Sequence, residues 1–483
     1  MSHKPKRQIS AAMMCAVLLL GGQLPLVAQA APWAMNRMVL PKDVNALVSI
    51  GAPALVAPYH YLGVSLEMSG LCQLLKTDTQ DRTRFENLFR NLGSVVLKVA
   101  GKSSDFAVLK PNSHAACSTQ GTILTSAEVR SFFAFANRAN LQVMWGLPLA
   151  RYSPKAAAVE AKYIASIADK RLIGWTIGNE PDLYVRSHYR PPKWTFKDFY
   201  AQWKKTRDAV VKAVPKIGVI GPEQCCVTSY YDKFASAARG ELSAISYHVY
   251  AGSRTNLTAS YLLSPLAYSK VVNRTKSYWH TDSRGARVPL WVTEANTFPD
   301  GGVPGVSNAF VASLWLADLL LNAATLHVSQ VDVQEVDGSN IYDPINAVGQ
   351  PRPIYYGMLL YHNMVPEDAH LLSTKLTTSM NLTAYSDRTP SGALSVVLIN
   401  KSAKAANIQV VADRNYRTAR LYRLEAPGLT AQTDITLGGH AVSADGTWSS
   451  PQTSPLALHS RTVTVKVNAG SVACISFMAS ASS

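Results

Sequence analysis

From residue 59 to about 365 the chain repeats one pattern. A short run of apolar and β-branched residues is followed by a longer stretch with the three-to-four-residue spacing of an amphipathic helix. The apolar runs are YLGVSLE (61–67), SVVLKVAG (94–101), LQVMWGLPL (141–149), LIGWTIGNE (172–180), KIGVIGPE (216–223), AISYHVY (244–250), PLWVTEA (289–295) and HVSQVDVQE (327–335). Segments such as SAEVRSFFAFANRAN and FKDFYAQWKKTRDAVVKAV separate them. Eight strands alternating with helices predict a parallel (β/α)8 barrel over 59–365. The scarcity of polar positions within each run fits strands covered on both faces.

After about residue 366 the helical period disappears. LTAYSDR, GALSVVLIN, NIQVVAD, RTARLYRLE, RTVTVKVN and SVACISFMA are short strands separated by Gly, Pro, Ser and Asn. They predict an antiparallel β-sandwich over 366–483. Residues 31–58, with NALVSIGAPALVAP, also read as extended and are expected to add a strand to the same sandwich.

The first thirty residues stand apart. Lys4, Lys6 and Arg7 precede a short apolar run, and Ala-Gln-Ala at 28–30 has the small-residue pattern of a cleavage site. This predicts a secretory signal ending about Ala30, and hence a secreted or periplasmic protein with no membrane attachment after its removal. Beyond Cys15 in that run, the cysteines are Cys72, Cys117, Cys225, Cys226 and Cys474. One or two disulfides are expected, with one thiol left over and no readable pairing. None of the spacings is that of a zinc site. The formal net charge of +16 suits acidic polymers or simple solubility, and no nucleic-acid motif accompanies it.

Two runs end in an unexpected way. The fourth closes on Asn179-Glu180-Pro181, and the seventh holds Glu294 near its end. Strand C-termini face the mouth of a (β/α)8 barrel, where active sites lie. Two glutamates facing each other there can cleave a glycoside, one protonating the leaving oxygen and the other attacking the anomeric carbon. A close pair gives a covalent intermediate and retention of configuration. The chemistry requires Glu294 ionised and Glu180 protonated at the start, so their environments must differ. It requires no metal and no cofactor.

The ordered motifs resemble glycoside hydrolase family 79, the heparanase and β-glucuronidase family of the retaining (β/α)8 clan. They are VVLKVAGKSSDF, GNEP, SYHVY, TEANTFPDGGVPGVSNAF with LWLADLL, VQEVDGSNIY, and PRPIYYGMLLYHNMV. The resemblance implies an enzyme with Glu180 as general acid/base and Glu294 as nucleophile. Asn179 would bond the sugar 2-hydroxyl. Tyr250 would orient the nucleophile, with a packed strand aromatic as the alternative. His248, on the same side of its strand as Tyr250, either holds a carboxylate or is structural. Glu67, Gln334 and Tyr342 match sugar-contacting positions. Trp145, Trp175 and Trp291 are core or cleft wall.

The sequence departs from the family at the uronate-binding Tyr-Gly-Gly that follows the nucleophile. Pro299, Asp300 and Gly301 stand there, and Lys102 replaces a small polar residue. Either Lys102 binds a uronate carboxylate, or Lys102 and Asp300 pair and leave a neutral subsite. The expected activity is that of an exported retaining exo-β-glycosidase, foremost a β-glucuronidase acting on uronic-acid-containing glycans. The alternatives are a glycosidase for neutral β-glucosides or xylosides, an endo-acting heparanase-like enzyme, and a non-catalytic polysaccharide-binding protein.

Overall fold

The structure, a computed structural model, describes residues 40–76, 79–111, 123–281, 288–335 and 337–479. The signal expected over 1–30 lies outside the described residues. Residues 40–483 form one compact unit.

Eight parallel strands close into a barrel: β1 (Leu62–Glu67), β2 (Val96–Ala100), β3 (Gln142–Leu147), β4 (Leu172–Ile177), β5 (Val219–Gln224), β6 (Ala244–Tyr250), β7 (Leu290–Asn296) and β8 (Val328–Glu335). Neighbours in sequence are neighbours in space, and β8 closes on β1. The strand interior is sorted by height. Val96, Met144, Ile220 and Ala244 form an apolar layer of their own. Residues two and four further along a strand share its face, so Lys98 and then Ser246, His248 and Tyr250 rise above that layer towards the mouth. At one point the lining is too close for any side chain. A Cβ on Gly63 would stand 1.7 Å from the Asp332 carboxylate.

Amphipathic helices cover the barrel, and the sequence marks their ends. Thr125 and Glu128 form a reciprocal cap on Ser126–Arg138, as Thr195 and Asp198 do on Phe196–Ala213. Trp145 and Trp175 are buried in the core, and Trp291 is half-buried. Helix Phe310–Thr325 is apolar on nearly every side, the mark of a helix with no solvent face. It lies between the barrel and the C-terminal strands. Its amides at Phe310 and Val311 donate to the carbonyls of Ala431 and Leu429 at 2.8 and 2.9 Å. Its single acid, Asp318, is buried and accepts from Lys401 Nζ and the Tyr385 hydroxyl, both at 2.5 Å.

The C-terminal strands and Ala46–Val56 make one ten-stranded sheet that packs upon itself as a sandwich. The pairing is antiparallel except that Ala46–Val56 runs parallel to Ala406–Val411 while also pairing antiparallel with His370–Thr378. Alternation sets both faces. In Leu394–Asn400, Leu394, Val396 and Leu398 enter the sandwich core, while Val397 and Ile399 join the core shared with the barrel. Val472 and Cys474 likewise face the barrel, and Ala473, Ile475 and Phe477 face the sandwich. Among the described residues no helix is long and apolar enough to cross a membrane.

Candidate active site

Two supports fix the backbone around Glu180. The residue has a left-handed conformation, φ 48° and ψ 54°, which costs a non-glycine residue energy and needs holding. On one side its amide donates to the Glu223 carbonyl at 2.8 Å. On the other, the Asn179 amide donates to Asp105 Oδ2 at 3.2 Å. Asp105 also accepts from the Tyr184 hydroxyl at 2.6 Å and from the amides of Leu149 and Ala150 at 3.1 Å. Burial pushes the Asp105 carboxyl up to about 6, against the pull of these donors. The Asn179 side chain is buried, and its Oδ1 has no bond among the described residues.

Glu294 is held from two directions. The Tyr250 hydroxyl donates to its Oε1 at 2.5 Å. His248 Nδ1 lies 3.4 Å from Glu294 Oε2 and 3.2 Å from Glu180 Oε1, so one ring nitrogen faces both acids. The other, Nε2, meets Glu223 Oε2 at 3.2 Å. Glu223 Oε2 also takes Lys98 Nζ at 2.6 Å, and its Oε1 takes the Thr293 hydroxyl at 2.8 Å. Lys98 and Glu223 have no solvent exposure.

This chain of charges sets the protonation of the site. For His248, burial disfavours the charged ring, but the Glu294 charge and the bonds to Glu180 and Glu223 outweigh burial and the repulsion of Lys98. Its pKa rises to about 10, so it is a cation at neutral pH. Burial also opposes the Glu223 anion, yet Lys98 and His248 hold it well below the usual carboxylate range. Burial lifts the Glu294 carboxyl above its ordinary value, with Glu180 adding to the lift; His248, Lys98 and the Tyr250 bond restrain it.

A carboxylate oxygen of Glu180 and one of Glu294 lie within 4.8 Å of each other, and within that distance of a His248 nitrogen. Three such atoms can gather a cation. His248 bridges the carboxylates, with Nδ1 facing Glu180 and Glu294 and Nε2 facing Glu223. The close spacing of the carboxylates suits direct attack on carbon rather than activation of an intervening water, which needs about 6.5–9.5 Å between the groups.

Both glutamates open on a cavity of about 810 Å³ that also touches Asn179, His248, Tyr250, Lys102, Pro299 and Asp300. Asp300 pairs with Arg254 at 2.6 Å, at the exposed rim, rather than with Lys102. The Lys102 side chain is exposed and has no ion pair among the described residues. Its backbone amide donates to Glu67 Oε1 at 2.9 Å, while Glu67 Oε2 takes the Ser103 amide and hydroxyl at 2.9 and 2.5 Å. A Cβ on Gly101, at φ +76°, would strike that carboxylate at 2.3 Å, so only glycine lets the loop close over Glu67. Glu67, Gly301, Gln334 and Tyr342 are not among the residues that line this cavity. Tyr342 is buried beside Tyr250, with ring centres 6.3 Å apart, and its amide donates to the Gly301 carbonyl at 3.2 Å. Gln334 is buried, with Oε1 unbonded among the described residues.

Several residues of the site escape a reading of the sequence alone. Glu223 ends the run KIGVIGPE as Glu180 ends LIGWTIGNE, and that shared ending is its signal. Lys98 is the one charge inside VVLKVA. Asp105, Arg254 and Arg274 carry no local mark. Cys225 and Cys226 are bonded to each other on the cavity wall, and Cys474 is a buried free thiol. The side chains of Cys72 and Cys117 lie outside the described residues.

A closed (β/α)8 barrel with a close pair of strand-end glutamates over a cavity places the chain among the folds of solved glycosidases. It superposes with TM-score 0.73 at 16% identity on a 4-O-α-L-rhamnosyl-β-D-glucuronidase of Fusarium oxysporum, over 89% of this chain and 99% of that one. It superposes with TM-score 0.67 at 15% identity on an α-L-arabinofuranosidase of Thermotoga maritima, over 90% and 99%. In sequence it is 24% identical over 306 residues to a β-glucuronidase of Aspergillus niger, covering 54% of this chain and 55% of that protein. It is 26% identical over 341 residues to a β-glucuronidase of Neurospora crassa, covering 60% of each. The matches thus span about half to three fifths of those relatives' own length. Residues 161–321 match the family description Glycosyl hydrolase family 79, N-terminal domain. Over those residues the chain is similar to glycosyl hydrolase family 79.

Proposed function

We propose that this protein is a retaining exo-β-glycosidase that removes terminal β-linked uronic acid from polysaccharides or glycoconjugates. The observation that carries the reaction type is the close approach of Glu180 and Glu294 about His248. Glu294 attacks the anomeric carbon through Oε2, since Oε1 is held by Tyr250. Glu180 gives its proton to the leaving oxygen. Once Glu294 is an ester its charge is gone, and Glu180 takes a proton from the water that releases the sugar. Before attack, the positive charge on His248 favours the anionic form of Glu294. Export, on the reading of residues 1–30, belongs to the same proposal.

The uronate reading has two supports. Family relatives carry the name β-glucuronidase. Lys102 borders the cavity without an ion-pair partner among the described residues, while the negative charge of Asp300 is taken up by Arg254. The absence of the family's Tyr-Gly-Gly favours a second reading, a neutral sugar. Hydrolysis of 4-nitrophenyl β-glucuronide against the β-glucoside separates the two. A charge-assisted contact contributes about 1.5–3 kcal/mol, so Lys102→Ala is expected to lose the glucuronide selectively, by about ten- to a hundredfold in kcat/KM. A better glucoside, with both substrates equally affected by the substitution, refutes the uronate reading.

A further inference from the structure

The cavity has two sides. Glu67 closes β1, Lys102 follows β2, and Gln334 and Tyr342 belong to β8 and the loop after it. The resemblance assigns these groups to the sugar, and of them Lys102 lines the cavity itself. In the barrel order β5 lies opposite β1, and the loop after β5 carries Cys225 and Cys226. The loop after β4, which carries the proton donor Glu180, adds Leu183 and Tyr189 to the same wall. A bond protonated by Glu180 and held at its sugar end on the β1 side sends its other half towards this wall.

The amides of both cysteines and the carbonyl of Cys225 are already engaged. The Asp182 carboxylate takes the amides of Cys225, Cys226 and Val227 at 3.3, 2.7 and 2.8 Å. The Arg274 guanidinium donates to the Cys225 carbonyl. The two sulfurs are joined, Cys225 is half-buried and Cys226 is exposed. The pair therefore offers a ligand sulfur and carbon: a rigid, polarizable surface that suits the face of an aromatic ring. Disulfides elsewhere in proteins act as cross-links between distant segments. This one joins neighbours and closes no loop of chain, so cross-linking does not account for it.

We infer that the Cys225–Cys226 disulfide is the contact surface of a leaving-group subsite that takes aryl aglycones. The inference rests on the glycosidase reading above. It is tested with methyl, phenyl and 2-naphthyl β-glycosides of whichever sugar series, glucuronide or glucoside, the wild-type protein hydrolyses. In the wild type, KM falls from phenyl to 2-naphthyl. In Cys225→Ala/Cys226→Ala, kcat/KM for the 2-naphthyl glycoside drops through KM by about tenfold, the scale of a lost apolar contact. The methyl glycoside, which cannot reach the pair but needs the Glu180 proton most, keeps its rate. An equal loss on methyl and naphthyl substrates means that the pair only steadies Glu180, and no loss on either means that it touches no ligand; both overturn the inference. If the double variant does not fold, a wild-type KM that is flat or rising across the aryl series overturns it alone. Failure of the glycosidase reading shows separately, as a wild type inactive on every member of both series, and the inference falls with it.

Discussion

Lys98 Nζ and Glu223 Oε2 lie 2.6 Å apart in the barrel interior, neither reached by solvent. The pair anchors a line of charges that runs through His248 to both candidate catalytic acids. Removing one partner leaves an uncompensated buried charge, which costs about 3–5 kcal/mol. Glu223→Gln is therefore expected to lower unfolding free energy by about that amount, read from urea melts. Lys98→Met combined with Glu223→Gln is expected to recover part of it, because the stranded cation is gone. A single variant as stable as the wild type would show that the pair is not closed.

The role of His248 is visible in pH dependence. Glu294 must be ionised to attack, so kcat/KM falls as pH drops through its pKa, which burial holds above the usual carboxylate value. His248 restrains that rise. In His248→Asn the restraint is lost, and the acid limb of the kcat/KM profile is expected to move to higher pH. A limb that stays in place, with only its height reduced, assigns His248 to shape alone.

Folding stability is expected to fall as pH rises from 5 to 8. Burial raises Asp105 to about 6, and Glu160 and Asp332 to about 7. A carboxyl raised by folding contributes stability that is complete below its unfolded pKa and is lost as pH rises through the folded one. His248, raised to about 10, follows the same sign, complete below its unfolded value of 6.5 and lost above it. Glu223 is shifted the opposite way, but its window lies below its ordinary value of 4.5, and His362, lowered by burial, opposes the slope only below 6.5, against three raised carboxyls. Calorimetry across this range checks the slope, and a Tm that climbs with pH contradicts it.

Asp318 and Lys401 connect the barrel's buried helix to the sandwich at 2.5 Å. Asp318→Ala strands Lys401 and is expected to cost about 3–5 kcal/mol. Cutting the chain at 366 is expected to give an insoluble barrel, since Val397, Ile399, Val472 and Cys474 would leave the shared core open. A soluble fragment 59–365 with full activity would make the sandwich an independent appendage.

The barrel was legible because its period is long, regular and apolar. Glu180 and Glu294 were legible because a carboxylate closing a buried strand is conspicuous. Glu223 closes its strand in the same way but reads as a mere terminus, since its meaning depends on Lys98 and His248 arriving from other strands. Asp105 is less legible still: its partners come from residues 149, 150, 179 and 184. The extended character of residues 46–56 could be read from their pattern. Their parallel pairing with 406–411 could not, because it is settled by long-range register rather than local preference. Asp300 looked like a partner for Lys102 because sequence shows charges and not the reach of Arg254.

The division of labour between the two glutamates is tested most directly by trapping the intermediate. Glu180→Gln is incubated with the β-glycosyl fluoride of the accepted sugar, whose leaving group needs no proton, and the protein is digested for mass spectrometry. The sugar is expected as an ester on the peptide carrying Glu294, and Glu294→Gln is expected to acquire none. An ester on another carboxylate, or turnover by Glu294→Gln with release of the inverted anomer, contradicts the assignment.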